Sequence, residues 1–308
     1  MAKFEITEEL LSQIENLQML LKNNVAGMFG GNHKSRTYGS SCEFADYRDY
    51  VDGDDTTKLD WNAYARFDKL YLKLFLDERQ MHTRIYIDAS RSMEYGDPKK
   101  AERALLYAAT IAYLSVCEMD KVSIYVIKDK VVHEIIRGMV GKEAFLSSIG
   151  KLEEITFDGD SFISEAIVPE NVGFGDGLSV IISDFLTDND YESAIDHLVG
   201  KRRDVFCLQI LSMEELSPQA RGKVHFFDSE NAGLFYRKDI DREIAKAYKR
   251  ALEYATDRIR NYCNARGADY LLVSAEDKPQ DVLFEKLINM GVFQIGRASC
   301  RERVSPRV

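Results

Sequence analysis

The sequence predicts an α/β fold, a mostly parallel sheet with helices on both faces. Short β-branched runs alternate with helical patterns along most of the chain. One run returns after a two-residue turn, and two apolar runs end in aspartate. Each element follows from a local signal.

Apolar residues at three- and four-residue spacings, Leu10, Leu11, Ile14, Leu17 and Leu21 among them, predict an amphipathic helix over 7–24. Residues 27–60 then hold many Gly, Ser, Tyr and Asp without a period, and read as a long structured loop with a functional role. Beyond it the expected order is strand 83–87, helix 98–118, strands 122–127 and 131–137, helix 142–153, strand 178–183, helix 190–199 and strand 204–210. Asp97 is the expected N-cap of the helix at 98, with Pro98 in its first position. Only Asp129 and Lys130 separate two of the strands, a hairpin spacing, so 131–137 is expected to be an antiparallel edge. A β-ribbon (223–237), a long helix through Ile244, Tyr248, Leu252, Ile259 and Tyr262, a strand (270–274) and a helix (281–290) complete the order. The aromatic residues Trp61, Tyr64, Phe67, Tyr71 and Phe75 are expected to pack in the core.

Composition narrows the function classes. The 308 residues are 45% hydrophobic and 30% charged, ordinary for a globular protein with a sizeable core. A net charge of −10 disfavours nucleic acid and anionic membranes as partners, since both call for a basic face. Cys42, Cys117, Cys207, Cys263 and Cys300 are widely spaced and form no CxxC pair, so they are expected as buried free thiols, not as a disulfide frame or a zinc site. The N-terminus has no apolar signal core, and no run is long enough to span a bilayer, so a cytoplasmic location is expected. At the other end, QIGRASCRERV resembles the in-frame translation of a sequencing adapter, and 294–308 is set aside as a non-native tail. The expected division is an N-terminal helix and extension (1–78) packed on the core, then one α/β domain (79–293).

The chemistry gathers where strands end. In open parallel sheets the ligand crevice lies at the carboxyl ends of the strands, where strand order reverses. With 83–87 as the first strand and 178–183 as the fourth of an order 3-2-1-4-5-6, Asp88 and Asp184 face one crevice. Asp88 is expected outside the core, so that its replacement leaves the fold intact. The turn after it, Ala89-Ser90-Arg91-Ser92, adds two hydroxyls. Carboxylates and hydroxyls without His or Cys suit Mg²⁺, Mn²⁺ or Ca²⁺ and argue against zinc.

Asp88, Ser90 and Ser92 resemble the D-x-S-x-S pattern of the metal-ion-dependent adhesion site in von Willebrand factor A-like proteins. That resemblance implies a Rossmann-like fold, an aspartate after the fourth strand, which Asp184 matches, and a hydroxyl from a G-x-T loop. Gly159-Asp160-Ser161 stands in the loop's place, with serine for threonine. Upstream, Tyr47-Arg48-Asp49-Tyr50, Gly53-Asp54-Asp55, Leu59-Asp60-Trp61 and Ala65-Arg66 are similar to the signature of the bacterial domain of unknown function 58 family, although Thr57 stands where that family has arginine. The resemblance implies a non-catalytic, divalent-cation-dependent interaction module, its metal held by Asp88, Ser90, Ser92, Ser161 and Asp184, working with a MoxR-type AAA+ ATPase.

Other readings of the same residues are narrower. A metal-dependent phosphohydrolase could use Asp88 as nucleophile, but phosphatases of the haloacid dehalogenase type need D-x-D, and Ser90 holds the second position. No P-loop is present: His33 precedes Lys34-Ser35, and Glu143 follows Gly141-Lys142. Asp52-Gly53-Asp54-Asp55 lacks the glycine and glutamate of an EF-hand, so a solvated or arginine-paired turn is expected there. Asp54, Asp55 and Arg66 are expected as structural anchors, with Arg66 in a buried pair.

Overall fold

A computed structural model describes residues 44–52, 54–75, 80–173, 175, 177–218, 222–227, 235–240 and 242–279, with positions 12, 15, 16 and 282. The chain divides into two units, Asn23–Gln80 with Phe293–Val308, and Met81–Val292 with Met1–Lys22. The helices expected at 7–24 and 281–290, Cys42, Cys300 and the tail at 294–308 lie outside the described residues, apart from single helical positions.

In the smaller unit, β1 (Phe44–Asp49) pairs antiparallel with β2 (Tyr71–Phe75) around a short helix, α1 (Trp61–Phe67). Asp60 starts that helix: its carboxylate accepts from the backbone N–H groups of Asn62 and Ala63 and from the Tyr47 hydroxyl at 2.8 Å. The Tyr47 hydrogen bond is the main reason that its carboxyl group is held down at about 2. Asp68, with φ 54°, ends the helix in the left-handed region.

This unit corrects two expectations. Part of the loop at 27–60 is a strand, β1, because Phe44–Asp49 finds a partner in β2. The aromatics of α1 are not core residues: Trp61 is 63% and Phe67 66% exposed, with Tyr64 also exposed. Leu59 and Leu72, bridged to each other, are buried in their place. Arg66 is exposed instead of buried in a pair. Asp54 takes a salt bridge from Arg48 at 2.8 Å, and Asp55 caps the turn at Thr56–Lys58.

The larger unit runs β3 (His82–Asp88), α2 (Lys100–Cys117), β4 (Lys121–Lys128), β5 (Val131–Met139), α3 (Gly141–Ser148), α4 (Ile163–Ala166), β6 (Leu178–Ser183), α5 (Glu192–Gly200), β7 (Asp204–Leu211) and α6 (Met213–Leu216). A hairpin of β8 (Gly222–Phe227) and β9 (Phe235–Ile240), the long α7 (Arg242–Arg266) and β10 (Asp269–Ser274) follow. Six strands form one sheet in the order β10-β7-β6-β3-β4-β5. All neighbours are parallel except β4 and β5, joined through Asp129 at φ 56°. Strand order reverses between β3 and β6, so the carboxyl ends of these two strands meet at the position where open parallel sheets bind ligands.

Alternation along the strands sends side chains to two faces. Tyr86, Ile181 and Cys207 meet buried residues of α4, α5 and α7, including Ile163, Ile195 and Ile259. On the opposite face α2 packs across β3, β4, β6 and β7. Its alanines, Ala101, Ala104, Ala108 and Ala112, allow that close approach and are fully buried. Larger neighbours such as Leu105 and Ile111 each contribute about 1.5 to 3 kcal/mol by leaving water.

Helix α2 begins later than expected, with Lys99 at the N-cap. Asp97 and Pro98 lie in a preceding turn, which closes when the Lys100 N–H donates to the Tyr95 carbonyl at 3.1 Å. At the N-terminal ends of the strands, the buried Arg203 donates to Ser179 Oγ at 2.5 Å, to the Leu178 carbonyl at 2.7 Å and to the His82 carbonyl. Cys207 and Cys263 are buried and free, whereas Cys117 is only half-buried. Among the described residues no helix is long and apolar enough to cross a membrane.

Candidate metal centre

Strand β3 delivers Asp88 to the crevice, and the side chain is wholly buried there, not outside the core as expected. Its Oδ1 accepts from the Ser90 N–H at 3.0 Å, and its Oδ2 from the hydroxyls of Ser161 at 2.9 Å and Ser183 at 2.7 Å. All three donors are neutral. Burial, and then the charge of Asp184, push the Asp88 carboxyl above its ordinary range.

The turn after β3 brings Ser90 and Ser92 together, their Oγ atoms 3.0 Å apart. The loop that carries Ser161 is threaded between the ends of β3 and β4. Gly159 N–H donates to the Ala89 carbonyl, Arg91 N–H to the Gly159 carbonyl, and Asp129 and Asp160 exchange a further pair of hydrogen bonds. A side chain at Gly159 would have its Cβ 2.7 Å from Lys128 Cγ and 3.3 Å from the backbone nitrogen of Asp129, so the close passage calls for glycine. Four of the five residues singled out in the sequence thus share one connected set of hydroxyls and a carboxylate: Asp88, Ser90, Ser92 and Ser161.

Asp184 follows β6 directly, beside Ser183, and is also buried. Its Oδ1 accepts from the Leu186 N–H at 3.1 Å and its carbonyl from Gln209 Nε2 at 2.6 Å. Its Oδ2 faces Lys100, whose Nζ donates to it at 2.7 Å and to Glu215 Oε1 at 2.6 Å. Lys100 has no exposed surface. Burial pulls its pKa down, but the two carboxylates outweigh that and leave it above the ordinary lysine value. Glu215 is held in turn by a capping box with Ser212, and its neighbour Glu214 accepts from the Tyr95 hydroxyl.

Lys100, Ser183 and Glu215 are the members of this site that sequence reasoning missed. A signal for Lys100 exists: two successive lysines at the start of a helix oppose the helix dipole, so one of them needs a carboxylate elsewhere. Ser183 is a hydroxyl at the end of a mostly apolar strand, directly beside an aspartate.

The donor set fits a hard divalent cation. It is made of oxygen alone, with two carboxylates and several hydroxyls, and one carboxylate has only neutral donors around it. Among the described residues no group of three or more His, Cys, Asp or Glu side chains gathers to hold a metal, so hydroxyls would carry much of the coordination.

A family model described as "Protein of unknown function DUF58" matches residues 46–258. The chain belongs to this family. Among similar proteins, Uncharacterized protein Rv1480 of Mycobacterium tuberculosis (strain ATCC 25618 / H37Rv) is 22% identical over 251 residues, covering 79% of this chain and 78% of the relative. Uncharacterized protein Mb1516 of Mycobacterium bovis matches to the same extent. Two solved structures are similar in part. An aerotolerance-related membrane protein from Bacteroides fragilis NCTC 9343 shows a TM-score of 0.38 at 16% identity, over 68% of this chain and 100% of that one. The SpRpn10 VWA domain shows 0.40 at 10% identity, over 70% and 97%.

Proposed function

We propose that this DUF58 protein is a non-catalytic protein-interaction module that works in the cytoplasm. Its crevice would take a divalent cation, Mg²⁺ or else Mn²⁺ or Ca²⁺, through Asp88, Ser90, Ser92, Ser161 and Asp184. The observation that carries this reading is the environment of Asp88: a fully buried carboxylate with three neutral donors and a second carboxylate nearby. A cation relieves that arrangement, because buried like charges are costly until an opposite charge joins them. A cation held mainly by hydroxyls keeps residual positive charge and can accept a carboxylate from a partner. The partner proposed is a MoxR-type AAA+ ATPase, on the strength of the family signature at residues 47–66.

The competing reading, a phosphohydrolase with Asp88 as nucleophile, is disfavoured because phosphatases of the haloacid dehalogenase type need a second carboxylate two positions on, where this chain has Ser90.

The test is capture of the cognate ATPase by wild-type and Asp88→Asn protein, each with Mg²⁺ and with chelator. Capture by the wild type in Mg²⁺ alone supports the reading. Undiminished capture by the variant or in chelator would refute a bridging cation, and turnover of a phosphate ester abolished by Asp88→Asn would favour the hydrolase.

A further inference from the structure

Among the described residues of the larger unit Lys100 is a wholly buried lysine, and it serves the crevice, not the core. Lys100 Nζ stands 2.7 Å from Asp184 Oδ2 and 2.6 Å from Glu215 Oε1. Asp184 belongs to the candidate metal set, whereas Glu215 belongs to α6, beyond β7. The acceptor on α6 is firmly placed: the Ser212 N–H donates to Glu215 Oε2 at 2.8 Å, and Met213 N–H is held by Glu276 at 2.9 Å. Tyr95, on the turn that follows the two site serines, donates to Glu214. The same short helix therefore meets the site's own loop through one residue and the site's lysine through the next.

An ammonium at this position and a divalent cation at the crevice cannot both draw fully on Asp184, because two cations beside one carboxylate repel each other. We infer that Lys100 is a resident counter-ion that competes with the divalent cation for Asp184, and that Glu215 is the acceptor that retains the ammonium when the cation claims Asp184. Lys100 thereby sets how tightly the site holds a metal, and metal binding is reported to α6 through Glu215. This rests on the cation-dependent reading above and adds a named determinant of its affinity.

The experiment is Mn²⁺ binding to the full chain, by calorimetry and by the loss of free-ion paramagnetic resonance signal, for wild type, Lys100→Met and Glu215→Gln. Removing the competing charge should tighten binding by roughly tenfold or more. Removing the alternative acceptor confines the ammonium to Asp184 and should weaken binding several-fold. A merely structural lysine would lower the melting temperature in both variants without moving affinity in opposite directions. Equal Mn²⁺ affinity in all three proteins overturns this inference and leaves the cation reading standing. Absence of Mn²⁺ binding in all three overturns the cation reading, and this inference with it. Where Lys100→Met does not fold, Glu215→Gln decides alone: unchanged or tighter binding overturns the proposal.

Discussion

Lys100 Nζ and Asp184 Oδ2 lie 2.7 Å apart, joining the start of α2 to the end of β6 with neither side chain open to solvent. Breaking a buried pair by removing one partner costs about 3 to 5 kcal/mol, because the survivor is left charged and alone. In chelator, Lys100→Met should therefore lower stability by about that amount in urea unfolding. Adding Asp184→Asn to it should restore part of the loss, since the stranded charge is gone. Additive losses in the double variant would show that the two residues do not depend on each other.

Asp88 separates charge from shape. Asp88→Asn keeps the size of the side chain and an acceptor, and removes a charge that burial and Asp184 make costly, so stability in chelator should stay within about 1 kcal/mol of wild type. Asp88→Ala strands the Ser161 and Ser183 hydroxyls and the Ser90 N–H, and should cost about 2 to 4 kcal/mol. Thermal unfolding of the pair, with the order reversed, would contradict the geometry of the site.

Two groups near the start of β4 predict opposite pH dependence. Burial, then the charges of Arg84, Arg203 and Lys121, lower His82 to about 4, so the unfolded chain takes up a proton first and stability falls as pH drops from about 6.5 to 4. Burial raises Asp120 to about 6, a rise that its hydrogen bond from Met81 N–H only partly offsets. The folded chain then protonates first, and stability rises as pH drops from about 6 to the ordinary carboxylate value. Asp120→Asn should remove the second effect alone. Its stability should be at or above that of wild type at pH 7, by about 1 kcal/mol at most after solvent screening, and its melting temperature should fall more steeply on acidification. Parallel curves for the two proteins would refute the assignment to Asp120.

The exposed face of α1 makes a prediction about partners. Trp61→Ala and Phe67→Ala should change stability by no more than about 0.5 kcal/mol, since both rings are largely in water. If α1 contributes to capture of the ATPase, the same variants should weaken it without a shift in melting temperature. A drop of several degrees on Trp61→Ala would show instead that the ring is covered in solution.

Much of the sheet is legible in the sequence because its central strands, β6 and β7 above all, are buried on both faces and read as nearly unbroken apolar runs. LSVIIS needs no partner to be recognised, and the two-residue link at Asp129-Lys130 announces β5. The smaller unit is not legible in the same way. Phe44–Asp49 alternates polar and apolar residues too briefly to stand out, and becomes a strand only through β2. Aromatic residues at helical spacing in α1 read as core, because pattern alone does not say whether anything covers them. In the site, Asp88 and the serines are visible as a contiguous motif after a strand. Lys100 and Glu215 are not, since 115 positions separate them and only the packing of α2 beside α6 brings their charges together.

Arg203 gives the larger sheet two unlike ends. Its guanidinium ties the backbone of β3 and β6 at their entry points, through the His82 and Leu178 carbonyls, and Ser179 Oγ completes the clamp. At their exit points, past the last backbone pair of Ile87 with Ile182, the Ser183 hydroxyl donates to Asp88 Oδ2 at 2.7 Å. A side-chain hydrogen bond yields more readily than a guanidinium clamp on two carbonyls, so any adjustment to an ion or a partner is expected at the exit end, as the blades of shears part about a fixed rivet. Cutting the rivet with Arg203→Met would blur the distance between Asp88 and Asp184 without touching either.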